Sequence, residues 1–327
     1  MNILVTGGAG YIGSVCTEVL INRGHKVVAL DDLSEGHREA VDQRAVFCHV
    51  NLHEQTALDA VFREHSIDAV MHFAALCLVE ESVKKPGVYY RANVAAGINL
   101  LDAMLRHGVK RFIFSSTAAT YGEPEKTPIP EEHPTKPINP YGASKLLFER
   151  ILAEFKSNSG IDHVTMRYFN AAGASNKYGE DHHPETHILP ILFEVALGQR
   201  PAFHIFGTDY PTPDGTCVRD YVHIIDIAEA HAIAVEKISQ FSGRVFNLGN
   251  SRGHSVREVI ESVERITGRM IAVNTSPRRP GDPASLVASS ERARRELGWA
   301  PKYSSLDSIV ATAWTWKQRF PKGYSGS

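Results

Sequence analysis

"ILVTGGAGYIGSVCTEVL", residues 3–20, decides the fold. An apolar, strand-like run stops at Gly7, and from Ile12 apolar residues return at helical spacing. Between the two, Gly7, Gly10 and Gly13 stand three apart, and Gly8, Gly10 and Gly13 also satisfy G-x-G-x-x-G. Glycines there permit a tight turn and let backbone N–H groups approach a pyrophosphate at the helix N-terminus, where the dipole favours anions. Such turns are common, so the weight lies on the context, a strand before and a helix after. The next strand ends on Asp31, 18 residues beyond Gly13. An acid at that place accepts from an adenine-ribose 2′-hydroxyl and repels a 2′-phosphate. No arginine follows directly, so the expected cofactor is NAD and not NADP.

The alternation continues outward. "NILVTG" (2–7), "KVVALD" (26–31), "AVFCHV" (45–50), "AVMHFA" (69–74), "RFIFSS" (111–116) and "HVTMRYFN" (163–170) are expected strands, joined by helices over 12–23, 54–65, 90–107 and 141–157. Nearly continuous apolar strands separated by helices imply a parallel sheet covered on both faces. The expected fold class is therefore α/β, a doubly wound, Rossmann-like sheet. After about residue 171 the chain turns polar, with "AAGASNKYGEDHHPETH" and "GTDYPTPDGTCVRDYVH" rich in loop formers. This places an NAD-binding domain at 1–171 and a smaller C-terminal α/β substrate domain mainly at 172–327. A helix (224–238) and a strand (245–250) return the chain to the main sheet around 221–250. The closing "KGYSGS" reads as a frayed tail.

Composition bounds the partners. With 43% apolar and 22% charged residues, a net charge of −2 and no basic run, the 327-residue chain is not expected to carry a nucleic-acid surface. Its four cysteines are isolated, which suits free thiols. No signal-peptide pattern appears, nor any apolar run of the roughly 20 residues that cross a bilayer. The expected localisation is cytoplasmic.

In "NPYGASKLLFER" (139–150), Asn139 suits an N-cap and Pro140 the first helical position. Tyr141 and Lys145 then share one helix face. A phenol is a poor base, with an ordinary pKa of about 10. A neighbouring ammonium is expected to lower it. With NAD across the sheet edge, Tyr141 can take a hydroxyl proton while hydride leaves the same carbon. Tyr and Lys one turn apart are common on solvated helices, so the pair gains meaning from Ser115, Ser116 and Thr117 at the end of the preceding strand.

At this point the sequence resembles the extended short-chain dehydrogenase/reductase family, and within it the UDP-glucose (UDP-galactose) 4-epimerases. The resemblance rests on "VTGGAGYIGS", "HFAAL", "ESVKKP", "FIFSSTAATYGEP", "PYGASK", "RYFNAAGA", "PETH", "FGTDYPTPDGTCVRDYVH", "NLGN" and "RRPGDP", and covers nearly the whole chain. It implies Tyr141 as base, Lys145 as its partner and Thr117 as the hydroxyl on the sugar O4, where the family more often has Ser. It implies NAD contacts from Tyr11, Ile12, Asp31, Asp32, Asn51, Leu52, Phe73, Ala74, Asn93 and Tyr168. Asn51 departs from the usual Asp, and Cys77 stands where a lysine is frequent. Asn170, His187, Phe206, Arg219, Arg279 and Asp282 fall on positions that hold UDP, and Leu286 on one that limits room beside the sugar C2. Related dehydratases carry an acidic pair after the Thr; this chain has Ala118 and Ala119, which cannot support elimination.

The implied activity is a UDP-glucose/UDP-galactose 4-epimerase, an isomerase of galactose metabolism that passes through a 4-keto sugar. The alternatives are epimerisation of another UDP sugar, an N-acetylhexosamine or pentose, and net NAD-dependent oxidation. A non-catalytic NAD-binding regulator would not need the acid–base set. A homodimer is expected from the resemblance, through helices near 91–107 and 145–157. The histidines of "DHHPETH" suggest a metal, but no Cys or second cluster completes a set, so none is expected.

Overall fold

The computed structural model describes residues 1–279 and 281–324. In chain order the main elements begin with β1 (Asn2–Thr6), α1 (Tyr11–Asn22), β2 (Lys26–Asp31), β3 (Val46–His49), α2 (Gln55–Glu64) and β4 (Ala69–His72). Short helices α3 (Val79–Lys84) and α4 (Pro86–Tyr90) lead through a wider turn (Arg91–Ala95) into α5 (Ala96–Arg106), β5 (Arg111–Thr117), α6 (Pro140–Ser159) and β6 (Asp162–Tyr168). Then come β7 (Asn170–Ala172), α7 (Ile188–Ala196), β8 (Phe203–Phe206), β9 (Val218–His223), α8 (Ile224–Glu236), α9 (Ile238–Phe241) and β10 (Arg244–Leu248). The chain closes with β11 (Gly253–Ser255), α10 (Val256–Thr267), β12 (Val273–Ser276), β13 (Ser285–Leu286) and α11 (Leu306–Arg319).

One sheet has seven strands in the order β10-β6-β5-β4-β1-β2-β3. Ile3 of β1 stands opposite Val27 on one side and Ala69 on the other, in parallel register. Ile3, Leu4 and Val5 are fully buried because helices cover both faces, which is why the strand is apolar without alternation. The order reverses between β1 and β4, the place where ligands bind outside the strand ends of such sheets. Thr6 Oγ1 and His72 Nδ1 tie those two ends together at 2.7 Å. Beneath them Leu100, Met104, Phe114, Phe148 and Leu152 share one core. A Cβ on Gly97 would stand 2.4 Å from the Phe148 ring, so the bare glycine of α5 leaves that ring its place in the core.

The chain divides into two compact units, Met1–Gly122 with Pro134–Arg167 and Ala228–Phe246, and Glu123–His133 with Tyr168–Ile227 and Asn247–Ser327. In the second unit β9 carries β11, β13 and β7 beside it, and β8 pairs with β12. Leu192, Phe193, Val259, Val263, Ile309 and Trp314 from α7, α10 and α11 form its core. Asp220 of β9 accepts the backbone N–H of Asn250, Ser251 and Ala288 at 2.7, 3.0 and 3.1 Å, pinning three segments to one carboxylate.

Several sequence expectations need adjustment. The run 163–170 breaks at Phe169 into β6 and β7, and the helix over 90–107 opens with the wider turn. Glu123–His133, kept in the first domain by sequence, packs in the second unit. The tail does not fray through Tyr324, which is buried and takes a carboxylate bond from its N–H to Asp181 at 2.8 Å; residues 325–327 lie outside the described ones. Among the described residues no helix is long and apolar enough to cross a membrane.

Candidate active site

The glycine turn is built by contact. Gly7 has φ 70°, and a Cβ on it would lie 2.6 Å from the Ala74 nitrogen. A Cβ on Gly13 would lie 2.0 Å from the Gly7 carbonyl oxygen. Gly10 N-caps α1 without a side-chain hydrogen bond to the helix end, where the helix dipole is positive. That cradle fits a pyrophosphate.

Asp31 accepts Ala9 N–H at 3.0 Å and Leu33 N–H at 2.9 Å, one on each oxygen. Each oxygen keeps a lone pair for a ribose hydroxyl. Burial raises its pKa, the two amides oppose the rise, and Asp32 adds to it. Asp32 is held by Asn51 Nδ2 at 2.6 Å and by Ser34 N–H at 3.0 Å. The amide at 51 therefore does what an aspartate could not: it donates to a neighbouring carboxylate while its own oxygen accepts His53 N–H at 2.9 Å. Leu52 is buried, and Phe73 packs its ring 5.0 Å from that of His231.

Asn93 has a different role from the expected cofactor contact. Its amide bonds Leu76 in both directions, at 2.9 and 3.0 Å, and donates to Ser144 Oγ at 3.0 Å. Those bonds use its donors on the protein, so it fixes the loop beyond Phe73 and Ala74 to α6.

Thr117 ends β5. Its Oγ1 accepts Ala119 N–H at 3.1 Å, which leaves its hydrogen to the Tyr141 oxygen. Asn139 caps α6 through Gly142 N–H at 2.8 Å, with Pro140 in the first turn. Gly142 is backed against the Ala119 carbonyl, where a Cβ would come within 2.4 Å.

The expected effect of Lys145 on the phenol is not what the structure shows. Burial, then Cys77, push the Tyr141 pKa up, against the Thr117 bond. The Lys145 ammonium instead donates to the Ser115 carbonyl at 2.9 Å and sits 5.0 Å over the Phe114 ring. Burial lowers its own pKa to about 8, against Cys77 and Glu149. A strand-end carbonyl has taken the charge that sequence assigned to the phenol. Cys77, exposed, thus belongs among the groups acting on both residues.

In the second unit Arg219 and Asp282 form an ion pair, and Arg219 also donates to the carbonyls of Pro283 and Val218 at 2.8 and 2.7 Å. Several of its donors are therefore spent inside the unit, which trims the expected diphosphate clamp. Arg279 lies over one face of Phe206, 4.0 Å from the ring centre. Leu286 pairs with Arg219 across β13 and β9 and is half-buried. Tyr168 closes β6, buried, and Asn170 opens β7, half-buried. His187 N-caps α7, with Nδ1 2.9 Å from both Glu180 and Glu185. Glu180 and Glu185 stand with His182 and His187, their possible ligand atoms all within 4.8 Å of one another, a grouping that histidines and cysteines alone do not reveal.

Residues 3–249 match the family model for the NAD dependent epimerase/dehydratase family. The chain belongs to that family. A UDP-glucose 4-epimerase of Halalkalibacterium halodurans is 51% identical over 99% of this chain and 98% of its own. A crystal structure of a UDP-glucose 4-epimerase superposes with a TM-score of 0.96 at 45% identity, covering 99% of each chain. The Bifidobacterium longum UDP-glucose 4-epimerase, solved with NAD+ and UDP, gives 0.95 at 37% identity over 99% of this chain and 100% of that one.

In this epimerase/dehydratase family member the sequence missed a buried ion pair whose carboxylate acts on Lys145. Glu149 accepts both nitrogens of a two-point bond from Arg167, and a hydroxyl bond from Ser116. Ser144 Oγ donates to the Tyr141 carbonyl at 2.7 Å. Glu149 follows Lys145 by one turn, a spacing visible in the sequence; its partner, 18 residues on, is not.

Proposed function

We propose that this enzyme interconverts UDP-glucose and UDP-galactose by inverting C4. The observation that carries it is the Thr117–Tyr141–Lys145 group beside Ala118 and Ala119, which provides for one proton and has no second acid for elimination. NAD, when bound, supplies a reversible acceptor for the C4 hydride. Gly7, Gly10, Gly13, Tyr11, Ile12, Asp31, Asp32, Asn51, Leu52, Phe73, Ala74 and Tyr168 would hold it, with Asn93 behind the loop. Tyr141 Oη takes the O4 proton and later returns it, Thr117 orients O4, and Lys145 brings positive charge to that helix face. Asn170, His187, Phe206, Arg219, Arg279 and Asp282 hold UDP.

Leu286 sets breadth. It lacks the ring and hydroxyl of a tyrosine, so an N-acetyl group beside C2 is admitted and its methyl meets apolar surface. NMR of product mixtures checks both points. UDP-galactose should form from UDP-glucose without accumulating 340-nm absorbance, and UDP-N-acetylhexosamine should turn over more slowly. Leu286→Tyr should suppress the second reaction far more than the first; equal losses would make Leu286 a packing residue, and rising 340-nm absorbance would make this a net oxidoreductase.

The enzyme is also proposed to be a cytoplasmic homodimer. Free thiols at Cys16, Cys48, Cys77 and Cys217 suit a reducing compartment. Val79, Val83, Val88, Tyr90 and Leu147 expose apolar surface on α3, α4 and α6, which pack together. With the helices near 91–107 and 145–157, this patch offers the face for a second copy. Native mass spectrometry tests assembly and cofactor together. Two 36.1-kDa chains should carry NAD(H), because the buried Asp31 carboxylate repels a 2′-phosphate. A single chain would remove the dimer, and NADP(H) would overturn the role of Asp31.

A further inference from the structure

A lysine and a glutamate four residues apart on a helix ordinarily pair with each other. Lys145 and Glu149 stand at that spacing on α6 with buried side chains, where little water weakens the attraction. The ammonium nonetheless goes to the Ser115 carbonyl, at 2.9 Å. The carboxylate, for its part, is already occupied. Arg167 of β6 donates Nε–H to one Glu149 oxygen at 2.9 Å and Nη2–H to the other, and the Ser116 hydroxyl donates to the first.

Arg167 is itself fixed. Its guanidinium lies 4.9 Å over the ring of Tyr121, and both residues are buried. A planar guanidinium meets both oxygens of a carboxylate at once, as a single ammonium does not. Ser115 and Ser116 stand just before Thr117 at the end of β5, so Lys145 and Glu149, one turn apart, together hold the strand end that carries Thr117. The titratable groups that act with the Lys145 ammonium are Cys77 beyond β4, His72 of β4 and Glu149 itself. Burial is the largest influence and lowers its pKa to about 8, while Cys77 and then Glu149 work the other way. His72 is kept neutral by burial first and then by the lysine charge.

We infer that Arg167 is a positioning residue for the reaction: by occupying both oxygens of Glu149 it denies them to Lys145 and leaves the ammonium on the Ser115 carbonyl, at the strand end that carries Thr117. This rests on the proposal above that Lys145 serves the chemistry at Tyr141. With Arg167 gone, Glu149 is left as a buried, unpaired charge, and the lysine one turn away is the cation that can reach it. Once captured, the ammonium leaves Ser115 and gives up its proton only at higher pH.

Arg167→Met, the double variant Arg167→Met/Glu149→Gln and Lys145→Met are compared with the wild type by steady-state kinetics on UDP-galactose. NMR of the lysine-labelled enzyme reads the titration midpoint of Lys145, whose signal is the one missing from Lys145→Met. Arg167→Met should lower kcat by about 10²-fold, the cost of a displaced group, with KM changed far less. Its Lys145 midpoint should rise by about one to two units. Adding Glu149→Gln removes the competing charge, so kcat should recover by about tenfold or more over the single variant and the midpoint should fall below that of the wild type. A purely structural role would make kcat follow the folded fraction and leave the midpoint where it was. That outcome overturns the inference, and so does a double variant no more active than the single one. Should Arg167→Met fail to fold, Arg167→Lys takes its place: one ammonium leaves a carboxylate oxygen open, so kcat should fall and the midpoint rise, and no change in either overturns the inference. Should Lys145→Met turn over like the wild type, the role of Lys145 fails and takes the inference with it. Should Lys145→Met lose turnover while Arg167→Met leaves the midpoint unchanged, only the inference fails.

Discussion

Tyr141→Phe should keep the fold and the bound NAD and lose turnover by about 10²–10⁴-fold, the usual contribution of a positioned general base. The phenol oxygen is the only atom removed. Its bond from Thr117 is worth about 1 kcal/mol, too little to disturb α6, which is anchored by Asn139, Ser144 and the Gly142 contact. Steady-state kinetics beside a cofactor assay on the purified variant decide the matter. Turnover within a few-fold of wild type would remove Tyr141 from the chemistry, and loss of NAD would make it a binding residue.

Lys145→Met should abolish most activity and make the cofactor-free protein more stable. Lowering the ammonium from 10.5 to about 8, at 1.36 kcal/mol per unit, means that burying it costs about 3 kcal/mol. Methionine has similar length and no charge to desolvate, although it forfeits the bond to the Ser115 carbonyl. A gain of about 1–3 kcal/mol at pH 7 is expected. Below pH 8 the wild-type fold carries the charge at full cost. Between about pH 8 and 10.5 the unfolded chain holds more protons than the folded one, so wild-type stability rises with pH and the advantage of methionine closes. Urea melts at pH 7 and pH 10 measure this. A variant less stable than wild type at pH 7 would show that Lys145 supports the fold and does not burden it.

What was legible in the sequence was what depends on neighbours along the chain. The strand–glycine–helix opening, the cap at Asn139 and the apolar strands of the main sheet are local signals, and they formed where expected except that the run 163–170 broke at Phe169. Pro190 lies in the first turn of α7, where its missing N–H costs nothing. Ser255 and Glu258 announce α10 by a reciprocal cap that was there to be read. The rest needed three dimensions. Nothing near Lys145 says that a carbonyl 30 residues earlier will take its ammonium, nor that Arg219 will find Asp282 63 residues on. The bland reading of a solvated Tyr–Lys face failed for the same reason, since burial of Lys145 is a property of the whole unit.

The contact between Gly142 and the Ala119 carbonyl has a mechanical meaning. Most active-site spacings are kept by side chains, which behave as springs: rotamers give, and a ligand can push them apart. Here the helix that carries Tyr141 meets the turn that follows Thr117 backbone to backbone, with no room for even a methyl group between them. That is a hard stop. It sets a minimum distance between the two backbones that carry phenol and hydroxyl, and the cap from Asn139 keeps the helix end seated against it. Repulsion between closed-shell atoms rises so steeply that this backbone spacing is the same on the first turnover and the millionth.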